Sequence, residues 1–162
     1  MKKKLLFLAL SALLIVSCGT TKKTASNAEL FKYDLEYVKT GGHDMSIVKV
    51  WSYGQTAKQA EEKCRADAVH GVLFKGYSGQ GISKPAMVKG INGYEENKEF
   101  FDKFFNSGDY LRYVSAVVDG STETRKVQGG GYKVSSEISV NVRMLRKHLE
   151  EAGIIKRLGY GF

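Results

Sequence analysis

Cysteine, histidine and carboxylate side chains are the groups in this 162-residue chain that could do covalent or acid–base chemistry. Cys64 precedes His70 by six positions in a stretch that is predicted to be helical. That spacing puts the two side chains on different faces, a poor geometry for a nucleophile and its base. Asp67, His70 and Ser78 are further hydrolase candidates, but they form no motif. The three histidines and two cysteines show no metal-ligand spacing. We therefore predict no catalytic residues, no metal and no cofactor.

The cysteine at position 18 stands in a different context, at the end of a leader. Lys2–Lys4 are followed by the apolar run 5–16 and the small residue Ser17. This is the order of a secretory signal. As a helix the run would rise only about 18 Å, against about 30 Å for a bilayer core, which argues against a transmembrane anchor. Residues 1–17 are therefore predicted to be a signal peptide.

Residues 15–18, Ile-Val-Ser-Cys, resemble the lipobox of bacterial lipoproteins, with isoleucine where leucine is most common. The resemblance implies a diacylglyceryl group on the Cys18 sulfur, cleavage after Ser17 and acylation of the new amine. Several acyl chains on one residue anchor a protein stably in lipid. The resemblance further implies the periplasmic face of the outer membrane, because Gly19 is not aspartate and residues 19–24 carry no acidic run. A cleaved signal with an incidental cysteine is the alternative.

The mature chain is predicted to be mildly basic. The formal net charge of +8 includes the three leader lysines, and without them 22 basic and 17 acidic residues leave +5. A solvated surface explains that balance, and an anionic partner is the alternative. We predict no nucleic-acid partner. Residues 18–28 are predicted to be the lipidated cysteine and a flexible tether, and residues 29–162 a single domain.

Hydrophobic patterns predict the elements of the first half. Residues 30–38 alternate as a half-buried strand, and residues 47–53 form a second strand. Thr56 is predicted to cap a helix that ends at His70–Gly71 and is followed by a strand over residues 72–77. The helix carries a stripe of small side chains that can lie close against a sheet, so Cys64 is expected to be buried. The stripe consists of Ala57, Ala60, Cys64, Ala68 and Gly71.

The loop Gly79–Gly93 contains four glycines and the only proline of the chain, and Lys75, Lys84 and Lys89 flank or lie within it. It does not match a phosphate-binding loop. Its length indicates either a functional or a mobile segment. The lysines favour an anionic ligand, with a plain solvated loop as the alternative.

A second helix is predicted over residues 95–106, with four phenylalanines on a broad face that is mostly core. Any exposed part of that face would be a partner groove or a membrane-facing patch. Paired strands are predicted at 110–118 and 132–142, joined by a polar arm. Asn141 is predicted to cap a last helix that Gly153 ends. Basic residues precede acidic ones on this helix, against its dipole, so the charges are tolerated or the basic turn meets an acidic partner.

The predicted order is β-β-α-β-α-β-β-α, an α+β fold with a mostly antiparallel sheet and helices packed on one face. Residues 48–79, 100–114 and 139–162 resemble segments of a family of Bacteroidota lipoproteins whose members have no settled activity. The resemblance implies a lipoprotein and no catalytic role.

These observations predict a non-enzymatic binding or assembly module on the outer membrane, held by acylated Cys18. It would recruit an envelope protein through the open face of the sheet, the phenylalanine-rich helix or the arm. The alternative is a lipoprotein that binds a small ligand or glycan in a concave pocket lined by the loop Gly79–Gly93, nearby tyrosines and Trp51. The predicted ligand- or partner-binding residues are Trp51, Tyr77, Lys84, Lys89, Phe101 and Phe105.

Overall fold

The computed structural model describes residues 31–42 and 44–157. The predicted signal peptide, Cys18 and the tether lie outside these residues. Within them the strands are β1 Tyr33–Thr40, β2 Met45–Gly54, β3 Tyr77–Gly79, β4 Ile82–Lys84, β5 Val114–Val117, β6 Glu123–Lys126 and β7 Tyr132–Asn141. The helices are α1 Ala57–His70, α2 Gly93–Glu96, α3 Lys98–Asn106 and α4 Val142–Glu151. A π turn, Gly71–Lys75, extends α1, and a 3-10 turn, Asp109–Tyr113, precedes β5.

The main sheet is antiparallel throughout, in the order β1-β2-β7-β5, with β6 also paired to β7. Period-two alternation sets which face each strand buries. In β2, Val48 and Val50 are fully buried on the side where α1 packs, whereas Lys49 and Trp51 lie on the opposite face. The prediction of an α+β fold with an antiparallel sheet is confirmed.

The small-residue stripe brings α1 onto β2 and β7. Ala60, Cys64 and Ala68 are fully buried in this contact, and the Cys64 thiol donates to the backbone carbonyls of Ala60 and Val134 at 3.4 and 3.6 Å. Burial raises the pKa of this thiol. Cys64 therefore behaves as the small apolar core residue that its position predicts.

Both predicted helix caps are present. The Thr56 hydroxyl accepts a hydrogen bond from the Gln59 backbone amide, and the Gln59 side-chain carbonyl accepts one from the Thr56 backbone amide. This reciprocal pair is a capping box. The Asn141 carboxamide accepts from the Met144 amide at the start of α4. Gly153 ends α4 in the left-handed conformation, as predicted.

The strand predicted over residues 72–77 is wrong. Gly71 keeps right-handed helical angles, so the chain continues as the π turn with Val72 and Leu73 fully buried. The helical run ends at Gly76, which has a φ of +71° and approaches the Lys84 carbonyl so closely that a Cβ would lie 2.5 Å from it. A short apolar run fits a buried helix as well as a strand, and its pattern alone does not distinguish the two.

Other boundaries also differ from the prediction, and the helix predicted over residues 95–106 is divided at Asn97 into α2 and α3. Residues 110–113 belong to the 3-10 turn, so β5 is only the four residues Val114–Val117. The long loop begins with the β3–β4 hairpin, whose two turn residues Gln80 and Gly81 both have positive φ, as a type I′ turn requires. In the part of the chain that the structure describes, no helix has the length and apolarity needed to cross a bilayer.

Candidate functional site

A cavity of about 810 Å³ lies between the second half of the long loop, the start of α4 and the segment that follows α4. We call it the loop pocket. Its volume falls within the range of small-molecule sites. Its apolar wall consists of Val72, Tyr77, Pro85, Ala86, Met87, Val88, Val142, Ile154 and Ile155. Its polar lining consists of Lys84, Lys89, Glu96, Asn97, Arg146, Lys156 and Arg157.

Backbone hydrogen bonds attach the loop to the π turn. The carbonyls of Val72 and Leu73 accept from the amides of Met87 and Val88 at 3.3 and 2.9 Å. The last carbonyls of a helical run have no partner within it, so they are free to hold the loop. Met87 and Val88 are buried as a result. The wall of the loop pocket is therefore a fixed part of the fold.

A buried hydrogen bond fixes the floor of the pocket. Tyr77 follows the π turn, and its hydroxyl lies 2.8 Å from the Ser46 hydroxyl on the inner face of β2. Burial raises the pKa of the Tyr77 phenol. Because its phenol is neutral and hydrogen-bonded, Tyr77 lines the cavity without an uncompensated polar group.

The charge of the lining is strongly one-sided. Five cationic side chains and one carboxylate, that of Glu96, border the loop pocket. Lys84 and Lys89 stand exposed on the loop, and the half-buried Arg146 reaches the cavity from α4, where its guanidinium lies 3.7 Å from Glu150. An apolar wall with surplus positive charge at its border suits a ligand that carries both an apolar part and an anionic group.

The structure brings three of the predicted ligand-binding residues together, because Tyr77, Lys84 and Lys89 all line the loop pocket. Trp51 is not among them. It lies on the opposite face of the sheet and lines a separate cavity. The predicted combination of the loop with Trp51 in one site is therefore wrong, since strand alternation points Trp51 away from the side on which the loop packs.

The phenylalanine face of α3 is mostly core, as predicted, and this core includes Phe101, which was also predicted to bind a ligand or partner. Phe101 is fully buried, with ring centroids 4.7 Å from Phe74 and 5.5 Å from Tyr94, and Phe104 is buried as well. Phe105 is half-buried against Phe31. Phe101 therefore has no exposed surface with which to contact a partner, whereas Phe100 and Phe105 are only partly buried.

Arg146 and the wall residues that follow α4 were not among the predicted ligand-binding residues. One signal did point to Arg146, since the basic first half of α4 opposes the helix dipole and an acidic partner would compensate for that. Ile154 and Ile155 directly follow Gly153, where they fit the hydrophobic contact of a glycine helix cap. Their second role arises because the cap turns the chain back beside the loop.

The hydrolase candidates do not form a site. Asp67 is fully buried, where its Oδ2 accepts from the Ser52 hydroxyl at 2.5 Å. His70 is engaged with the Tyr33 hydroxyl, 2.7 Å from its Nδ1, and burial lowers the pKa of this imidazole to about 3. Ser78 stands exposed on β3. Across residues 31–42 and 44–157, no group of three or more histidine, cysteine or carboxylate side chains is placed to hold a metal ion.

The loop pocket is therefore the candidate ligand-binding site, because it combines a large volume, a wall held by backbone hydrogen bonds and a mostly cationic border. No protein-family model, curated protein or solved structure matches the chain.

Proposed function

We propose that this protein is a non-enzymatic lipoprotein of the bacterial cell envelope that binds a small amphipathic anion in the loop pocket. The observation that carries the proposal is the pairing of an apolar wall with five cationic side chains around a cavity of about 810 Å³. The lipid anchor would be acylated Cys18, on the periplasmic side of the outer membrane. The ligand class is an acyl chain or ring system that ends in a carboxylate or phosphate.

The supporting chemistry favours binding over catalysis. The titratable side chains of the loop pocket are lysines, arginines, Tyr77 and Glu96. Lysine and arginine side chains are ordinarily protonated at neutral pH, so they donate hydrogen bonds to an anion and do not act as general bases. The apolar wall contributes by removing the ligand's hydrocarbon from water, at about 25 cal/mol per Å².

The ligand prediction is tested with the fluorescent fatty acid dansyl-undecanoate. Titration of the purified soluble domain is expected to give saturable enhancement, and Arg146→Ala is expected to weaken binding about tenfold, the usual effect of one lost charge-assisted hydrogen bond. Lys147→Ala is the matched control. Lys147 is the next residue of α4, it also pairs with a glutamate four positions on, and it does not line the cavity.

Equal loss of affinity in the two variants would show that general positive charge, not the pocket, attracts the probe. Equal binding of the uncharged methyl ester would remove the anionic part of the proposal. Absence of saturable binding to the wild-type domain would overturn it.

The anchor prediction is tested separately in cells. The full chain is expected to take up a palmitate analogue and to sediment with membranes, and Cys18→Ala is expected to lose the label and remain soluble after export. Several buried acyl chains hold a protein far more firmly than one, so the change in partitioning should be nearly complete. Membrane association of Cys18→Ala at the wild-type level would contradict the anchor.

A further inference from the structure

The open face of the main sheet carries a second cavity, of about 330 Å³, on the side away from the helices. It shares no lining residue with the loop pocket. We call it the sheet pocket. Its lining consists of Lys49, Trp51, Glu123, Arg125, Lys133 and Ser135.

Strand register builds the sheet pocket. Trp51 of β2 lies opposite Ser135 of β7, and Ser135 lies opposite Glu123 of β6. These three side chains therefore form one row across the sheet. Lys133 and Arg125 face each other in the next row. Because the rows belong to paired strands, the six side chains are held by the ladder and not by a loop.

The hydroxyl of Ser135 is an unexplained polar group in this pocket. Ser135 is only 3% exposed, and within the described part of the chain its Oγ has no hydrogen-bond partner. A buried hydroxyl without a partner costs about 1–3 kcal/mol. The other buried unpartnered oxygen among the described residues, Oδ1 of Asp67, lies in the core under α1 and does not line this cavity. The Ser135 hydroxyl therefore points to a ligand that can hydrogen-bond it.

Three cationic side chains and one carboxylate line the sheet pocket, and strand register places Glu36 and Glu137 on either side of Lys49 on the same face of the sheet. Glu123 is shared between Lys49 and Arg125, at 3.5 Å from each, which is the outer limit of a hydrogen bond. Lys133 lies 3.1 Å from Asp34, beyond the cavity lining. Lysine ammonium groups also lie 5.5 and 5.9 Å from the centre of the Trp51 ring. An anionic group placed beside the indole would thus be near two ammonium groups, those of Lys49 and Lys133.

We propose that the sheet pocket binds a carboxylated sugar ring, with the ring against Trp51 and its carboxylate among Lys49, Arg125 and Lys133. The indole supplies an amphipathic flat surface for the ring, and Glu123 and the Ser135 hydroxyl bond the sugar hydroxyls. The volume of the sheet pocket is about that of ten water molecules in the liquid, which suits one sugar ring better than a lone inorganic anion. This site is independent of the loop pocket and of its ligand.

Trp51 makes the proposal directly measurable, because it is the only tryptophan of the chain. Glucuronate is expected to change the tryptophan emission in a saturable way. Glucose, which has the ring without the charge, and acetate, which has the charge without the ring, are each expected to bind at least about tenfold more weakly, as expected when one charge-assisted contact or the stacking surface is missing. Polymeric uronate serves to show whether the sugar is recognised free or within a chain.

Arg125→Gln is expected to weaken glucuronate binding about tenfold, and its neighbour Lys126 supplies the matched control. Both residues are exposed on β6, but strand alternation puts Lys126 on the other face, and it does not line the sheet pocket. Ser135→Ala, which removes only the hydroxyl, is expected to weaken binding several-fold.

Three results would overturn the proposal. One is the absence of a saturable signal with glucuronate. Another is equal binding of acetate or sulfate, which would mean a general anion site. The last is an equal loss of affinity in Arg125→Gln and Lys126→Gln, which would mean long-range charge only. Circular dichroism of each variant establishes that the fold is retained.

Discussion

A Phe101→Ala variant is expected to lose about 3–5 kcal/mol of unfolding free energy, the usual cost of emptying a fully buried phenylalanine site. Phe101 is fully buried among aromatic rings, with Phe74 at an edge-to-face distance of 4.7 Å and Tyr94 stacked at 5.5 Å. These contacts join α3 to the π turn and to α2. Removing the ring leaves a cavity that rigid neighbours fill only in part. Urea denaturation followed by circular dichroism measures the loss.

Phe105→Ala is the comparison within the same helix. Its ring is half-buried, so less apolar area leaves water on folding and the expected loss is about half as large. The pair also separates two roles for α3. If Phe101→Ala kept full stability but no longer bound an envelope partner, the placement of Phe101 in the core would be wrong. The result would instead support a partner-binding surface on α3.

The stability of Asp67→Asn relative to wild type is expected to be about 2–3 kcal/mol more favourable at pH 7 than near pH 4. Burial raises the pKa of the Asp67 carboxyl from 3.8 to about 6, against the opposing effects of the Ser52 hydroxyl, Lys63 and Lys75. The folded state therefore binds this proton more tightly than the unfolded chain does. The unfolding free energy of the wild type should therefore fall as the pH rises from about 4 to about 6. Above about pH 6 the full cost of burying the charged Asp67 carboxylate is present.

Asparagine removes the buried charge but keeps an oxygen that can accept from Ser52. His70 also titrates differently in the two states, because burial keeps it neutral when folded, but its contribution is common to both proteins and cancels in the difference. Urea unfolding at several pH values gives the curves. Glu61→Gln, an exposed position on the same helix, is the control and should run parallel to wild type. Parallel curves for Asp67→Asn and wild type would show that Asp67 is not a buried, high-pKa acid.

Local patterns were enough to predict much of the fold, because their causes act over a few residues. Alternation placed the inner faces of β1, β2 and β7, and small residues at helical spacing placed the buried side of α1. Caps at Thr56 and Asn141 depend on one side chain and an amide three positions on. Gly153 ends α4 by a conformation that glycine adopts without strain.

The sequence did not predict the end of α1, because two glycines could end it and only contacts decide between them. Gly71 remains helical and lies close under the side chains of Leu35 and Tyr33. Gly76 has a positive φ and lies against the Lys84 carbonyl, and it is there that the helical run ends. In the π turn, the carbonyls of Val72 and Leu73 accept hydrogen bonds from Met87 and Val88 of the loop. Because these residues were predicted to be a strand, this attachment of the loop could not be predicted either.

By itself the sequence determined the α+β class, the faces of the long strands, the helix caps, the burial of Cys64 and the presence of Tyr77, Lys84 and Lys89 near one loop. It also predicts the leader and the lipid anchor at Cys18. Only the tertiary structure decided that Trp51 and the loop belong to different sites, that Arg146 joins the loop, and which phenylalanines of α3 are fully buried. These outcomes depend on contacts between residues far apart in the chain, and such contacts leave no periodic signal in the sequence.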